Sequence, residues 1–167
     1  MKQPSASMNS AYSDTVQVDV ATLLHAALAH SSLLLCGRPI RLIADIDAAL
    51  PSVSGPILTL LDIGVRYLLH CAIHTTQQGS ITLSAKRDRS SLLVAVMDTG
   101  TGTIQLRQEA VIAPAGSPEA TLRHLQATLE SYRGKLWSEV ELGAGSSYFI
   151  RVPLHHAIST SQSPSTV

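Results

Sequence analysis

The run Leu92-Leu93-Val94-Ala95-Val96-Met97 ends in Asp98-Thr99-Gly100-Thr101-Gly102, and this junction constrains the chain more than any other segment. A short apolar run bounded by turn-forming residues reads as a strand. A carboxylate therefore sits at the strand tip. Two glycines follow it, where backbone can turn with φ > 0 or pass close to a ligand. A carboxylate buried beside bare backbone suits an exocyclic amino group such as that of adenine. The bland reading of the same five residues is an ordinary strand-to-loop turn.

The rest of the chain supplies helices and more strands. Val16-Gln17-Val18 alternates as a short strand, and Asp19 then caps a helix with apolar face Val20, Leu23, Leu24, Ala27, Leu28, Leu34 and Leu35, ended by Gly37 and Pro39. Ile40 to Ile46 is a strand. A second helix has Ser54 as its cap and Pro56 in its first turn, where the missing N–H costs little. Ile57, Leu60, Leu61, Leu68, Leu69, Ala72 and Ile73 keep its period. Ser80–Arg87 and Ser91–Met97 form an antiparallel pair joined at Asp88-Arg89-Ser90. Ser117-Pro118-Glu119 gives the third helix a cap, a first-position proline and a first-turn acid. Its stripe is Leu122, Leu125 and Leu129, and Gly134 ends it. Lys135–Glu141 and Ser146–Leu154 alternate as a final hairpin. The expected fold is an α/β two-layer sandwich, a mainly antiparallel mixed sheet covered on one face by three helices. One domain spans residues 14–155, between polar tails at 1–13 and 156–167.

Several segments, taken in order, resemble the ATP-binding domain of bacterial sensor histidine kinases, the GHKL or Bergerat-fold superfamily. Leu68-Leu69-His70-Cys71-Ala72-Ile73-His74-Thr75 looks like the family's asparagine-box helix, with Gly79-Ser80-Ile81 as its turn and next strand. Glu130-Ser131-Tyr132-Arg133-Gly134-Lys135-Leu136-Trp137 looks like the end of its last helix. Gly143 to Ile150, with Arg151-Val152-Pro153-Leu154, resembles its closing hairpin. The resemblance runs over residues 16–154 and implies the family's fold, with an ATP or adenine-nucleotide site.

The resemblance assigns roles position by position. Asp98 would accept the adenine amino group, and Gly100 and Gly102 would shape the adenine end. The family's paired helix asparagines, which face Mg²⁺ and phosphate, correspond here to Tyr67 and Cys71. Positions i and i+4 do share a helix face, but Mg²⁺ wants hard oxygen ligands. A phenol and a thiol replace amide oxygens poorly, so Mg²⁺ is not expected. His74 stands where a basic residue approaches phosphate and is only partly charged at neutral pH. The family's second glycine-rich run corresponds to Glu119-Ala120-Thr121-Leu122, preceded by Pro118. That helix start adds an acid and removes an N–H where a polyphosphate would bind. The lid is short, Thr103 to Gly116, and has no anchoring phenylalanine.

These departures imply a degenerate domain acting as a docking or regulatory module in two-component signalling. Its partner would be a histidine-containing dimerisation domain or a response regulator. The alternative is an active, divergent catalytic domain that phosphorylates a histidine on a separate dimerisation domain. The 167 residues have formal net charge +0 and no basic run, which argues against nucleic acid as partner. Ile57 to Ile73 is interrupted by Asp62, Arg66 and His70 and reads as an amphipathic helix, so no membrane contact is expected. Cys36 and Cys71 lack CxxC spacing and read as small buried thiols of a reduced, cytoplasmic protein. His70 and His74 share a helix face without a third ligand nearby, so no metal site is assigned. His25 and His30 read as solvated helix-face residues rather than phospho-acceptors.

Overall fold

The computed structural model describes residues 19–53, 55–101 and 116–154. In chain order the elements are α1 (Val20–Leu34), β1 (Ile40–Ile46), α2 (Pro56–Thr75), β2 (Gly79–Asp88), β3 (Ser91–Asp98), α3 (Pro118–Ser131), β4 (Lys135–Glu141) and β5 (Gly145–Pro153). The sheet order is β1-β2-β3-β5-β4. Only β1 and β2 run parallel, linked by the α2 crossover, and the other neighbours are antiparallel. This is the expected two-layer sandwich of three helices on a mixed five-stranded sheet.

Alternation along the strands decides which face the helices cover. Ile81, Leu83 and Ala85 of β2, Leu92, Val94 and Val96 of β3, and Tyr148, Ile150 and Val152 of β5 are all buried. They share one core with Leu24 of α1, Leu61, Leu68 and Leu69 of α2, and Leu122 and Leu129 of α3. By length and apolarity α2 could cross a membrane, but it is the central core helix, with half of its apolar window buried inside the domain.

The caps explain the element ends. Asp19 accepts from the Thr22 N–H, and Ser117 accepts from the Ala120 N–H. Four expectations need correction. The cap of α2 is Gly55, with no side-chain cap bond; Ser54 lies outside the described residues. Leu34 is 47% exposed, because it falls on the solvent side of the last turn of α1 while Leu35 turns inward. Cys36 is exposed just beyond the helix end, and only Cys71 is buried. Arg133, at φ 61°, rather than Gly134, takes the left-handed position after α3. Val16–Val18, most of the lid and both tails lie outside the described residues.

Candidate functional site

Strand β3 carries Asp98 to its tip, where it pairs with Ile81 of β2 and Ser146 of β5. Two neighbouring strands enclose it there, and its exposure is only 6%. Oδ1 accepts the Gly100 N–H at 2.8 Å, a tight Asx turn. Glycine is required in that turn. A Cβ on Gly100 would lie 2.6 Å from the Thr75 carbonyl oxygen and 2.7 Å from Asp98 Oδ1. The loop is held from both sides, Thr101 N–H donating to Thr75 O at 3.3 Å and Gly143 N–H to Thr101 O at 3.2 Å. Gly102 lies outside the described residues.

Around this carboxylate three buried polar atoms have no hydrogen-bond partner among the described residues: Asp98 Oδ2, Thr76 Oγ1 and Ser146 Oγ. Burial pushes the Asp98 carboxyl above the usual carboxylate range. The N–H groups of Gly100 and Ser146 oppose that shift, and the nearby Thr76 and Ser146 hydroxyls ease it without adopting full hydrogen-bond geometry. Buried polar groups are normally paired, and leaving one unpaired costs about 1–3 kcal/mol. Three such groups meet here, at the tip of β3.

The raised pKa has a consequence for stability. The fold favours protonated Asp98, so its favourable contribution is complete below about pH 3.9 and is lost as pH rises through the folded-state value. At neutral pH the buried charge works against folding. Asp98→Asn is therefore expected to melt higher than the wild type at pH 7, the gap closing as pH falls toward 4. Thermal scans across that range check it, and a mutant that melts lower at pH 7 contradicts it.

The other end of the site is built from α2 and α3. Tyr67 and Cys71 lie one turn apart on α2 with their side chains adjacent, and the Thr121 side chain of α3 lies beside the Tyr67 phenol. Burial raises both pKa values, and the Glu119 carboxylate at the start of α3 is close enough to raise them further. The helix start has few donors left. Pro118 has no N–H, that of Ala120 goes to Ser117 Oγ at 3.2 Å, and that of Thr121 to Ser117 O at 3.1 Å.

Tyr148 joins the two ends. It is 1% exposed, and burial pushes its phenol up to about 12. The Ser146 side chain lies beside it, with Cys71, Asp98 and Tyr67 all within electrostatic reach. His74 stands apart from this cluster. It is exposed and pairs with His70, Nε2 to Nε2 at 3.1 Å. No group of three or more candidate metal ligands occurs among the described residues.

The structure thus brings Asp98 and Gly100 together at one end and Tyr67 and Cys71 at the other. Sequence reasoning missed Thr76, Ser146 and Tyr148. The signal for Ser146 is its register opposite Asp98, visible only once β5 is known to lie beside β3.

No protein-family model matches the chain, and no curated protein matches it. Solved structures do. The catalytic domain of histidine kinase ThkA, in a nucleotide-free form, superposes with TM-score 0.66 at 16% identity, over 81% of this chain and 92% of that one. Full-length ShkA in complex with AMPPNP gives TM-score 0.68 at 21% identity, over 82% of this chain and 30% of ShkA. The Acinetobacter baumannii histidine kinase AdeS gives 0.66 at 12% identity, over 83% of this chain and 66% of AdeS. The chain therefore spans under a third of ShkA and about two thirds of AdeS. Its fold is that of the histidine-kinase catalytic (ATPase) domain.

Proposed function

We propose that this chain is a degenerate histidine-kinase ATPase-like domain, acting as a docking or regulatory module in bacterial two-component signalling. Its partner is a histidine-containing dimerisation domain or a response regulator, in a cytoplasmic setting. Any nucleotide it retains is held weakly, by the base. One observation carries this reading: the start of α3 lacks one donor at Pro118, has spent two more on Ser117, and sets Glu119 against Tyr67 and Cys71. A polyphosphate binds a helix start through unpaired N–H groups and the positive end of the dipole. Here two of those groups are bonded and a third is missing, and an acid stands beside them. Phosphoryl transfer depends on holding phosphate and Mg²⁺ in place, and the Tyr67–Cys71 pair supplies neither a hard ligand nor a cation.

The unpaired atoms around Asp98 favour the alternative, an active divergent catalytic domain, since an adenine edge would satisfy them. Calorimetry with ATP, with and without Mg²⁺, separates the two. Micromolar Mg-dependent binding establishes the alternative.

Graded restoration tests the same point from the other side. Tyr67→Asn with Cys71→Asn is expected to tighten ATP binding by no more than about threefold, because the α3 start still repels phosphate. Adding Glu119→Gly is expected to gain about tenfold more, the order of a helix-terminus charge in a partly buried site. Tight Mg-dependent binding from the asparagines alone contradicts the reading.

A further inference from the structure

The chain has one tryptophan and one phenylalanine, and neither lies in the core. Trp137 of β4 and Phe149 of β5 are cross-strand partners on the sheet face opposite the helices. Their rings stack, with centroids 5.0 Å apart and planes 16° from parallel. Along the same cross-strand row lie Ala95 and Ser84. Leu93 and Met97 flank it on β3, only partly buried. The helical side of the sheet is filled by Leu, Ile, Val and one Tyr, while the largest apolar rings face away from it. A large aromatic outside the core is informative in a way that an isolated exposed leucine is not.

Charge is arranged lengthwise across this face. At one end Lys135 and Arg151 reach over the Trp137 ring, at 5.6 and 5.5 Å from its centroid, with Lys86 of β2 on the same face. Asp88 lies at that end too, 3.9 Å from Arg151, and β1 adds Asp45 on the Ser84 row and Arg41 toward the Asp98 end of the same face. Toward the Asp98 end, Glu139 and Glu141 follow on β4, both exposed. Alternation puts Lys135, Trp137, Glu139 and Glu141 on one face. At about 3.3 Å per residue, Lys135 and Glu139 stand roughly 13 Å apart with Trp137 midway.

We propose that this face is a self-association surface, its occupant the same face of a second copy. A two-fold axis near Trp137 sets the Lys135 of each copy on the Glu139 of the other and stacks the two aromatic pairs across the axis. A two-fold interface must be self-complementary, and a strip that runs basic, aromatic, acidic meets that condition. An acidic or a basic partner would match only half of the strip. Formal net charge +0 leaves no overall repulsion between copies. Five strands averaging about eight residues present roughly 650 Å² in plan, below the usual 800 Å² per partner, so the contact is reversible and micromolar. It stands independently of the nucleotide reading.

Sedimentation velocity on the full chain tests it, with the emission of the single tryptophan followed over the same concentrations. The expected result is a monomer–dimer equilibrium with Kd on the order of 10–100 µM. Trp137 emission should shift to shorter wavelength as dimer forms. Trp137→Ala is expected to weaken the dimer at least about tenfold. Circular dichroism checks its fold, and two rim variants give a readout that does not depend on it. Lys135→Glu and Glu139→Lys should each weaken association, and the double exchange should restore it. A monomer with concentration-independent emission overturns the proposal, including the case where a segment of the same chain covers the ring. So does a dimer that neither Trp137→Ala nor the single charge reversals weaken.

Discussion

Gly145→Ala is expected to destabilise the fold by about 3 kcal/mol, the largest effect of any single methyl added to the described residues. Gly145 opens β5 at φ 126°, a region closed to side chains, and the Asp98–Thr99 backbone runs directly against its Cα. A Cβ there would overlap the Asp98 carbonyl oxygen and come within 3.1 Å of Thr99 Cα. No flexible side chain can yield, because the obstructing atoms are backbone. Gly143→Ala is the control. Its φ is also positive, at 81°, but nothing lies within 4 Å of an added Cβ, so about 1 kcal/mol is expected. Urea midpoints at unchanged slope measure both. Equal losses would mean that the two mutants report only backbone conformation. A larger loss at Gly145 shows that the hairpin must close on the Asp98 turn for β3 and β5 to pair.

That closure also explains which parts of the molecule were legible in the sequence. Local signals were read well because they act over a few residues. Asp19 and Ser117 are caps in the structure as in the sequence, and alternation placed β2 to β5 within a residue or two of their observed bounds. Leu34 was misplaced because apolar residues continue past the inward face of α1, and period alone cannot say where burial stops. Ser54 gave way to Gly55 because a glycine at φ 68° turned the chain into α2 without needing a side-chain acceptor. At the site, Asp98 and Gly100 stood out in one pentapeptide. Thr76, Ser146 and Tyr148 did not, because each reaches the site from a different element. Their meeting depends on strand order, with β5 inserted between β3 and β4, and on the end of α2 lying beside the Asp98 turn. The use of the α3 donors by its own cap was likewise a matter of geometry, although Pro118 and Glu119 already pointed that way.

Adenosine and ATP are expected to bind this chain alike, weakly and with little effect of Mg²⁺, whereas GTP is expected to bind clearly less well. The two ends of the site lead to this from opposite directions. At the base end Asp98 Oδ2 and the Thr76 and Ser146 hydroxyls are buried and unpaired, so an adenine edge that reaches them gains hydrogen bonds. Guanine places a carbonyl where the amino group should be and leaves the carboxylate facing an acceptor, a loss of about 1–3 kcal/mol or roughly five- to hundred-fold in affinity. At the phosphate end two α3 donors are used internally, Pro118 supplies none and Glu119 adds an acid, so extra phosphates bring more repulsion than contact. Asp98→Asn is expected to abolish what binding remains, since an amide has one acceptor oxygen and can turn its NH₂ toward the base amino group. The same mutant is expected to be more stable at neutral pH, so a loss of binding could not be blamed on unfolding. Titrations of adenosine, ADP, ATP and GTP against both proteins decide the matter. ATP binding far tighter than adenosine would mean that the start of α3 can release its cap and turn its N–H groups outward, and the domain would then be a working nucleotide site with an unusual way of opening.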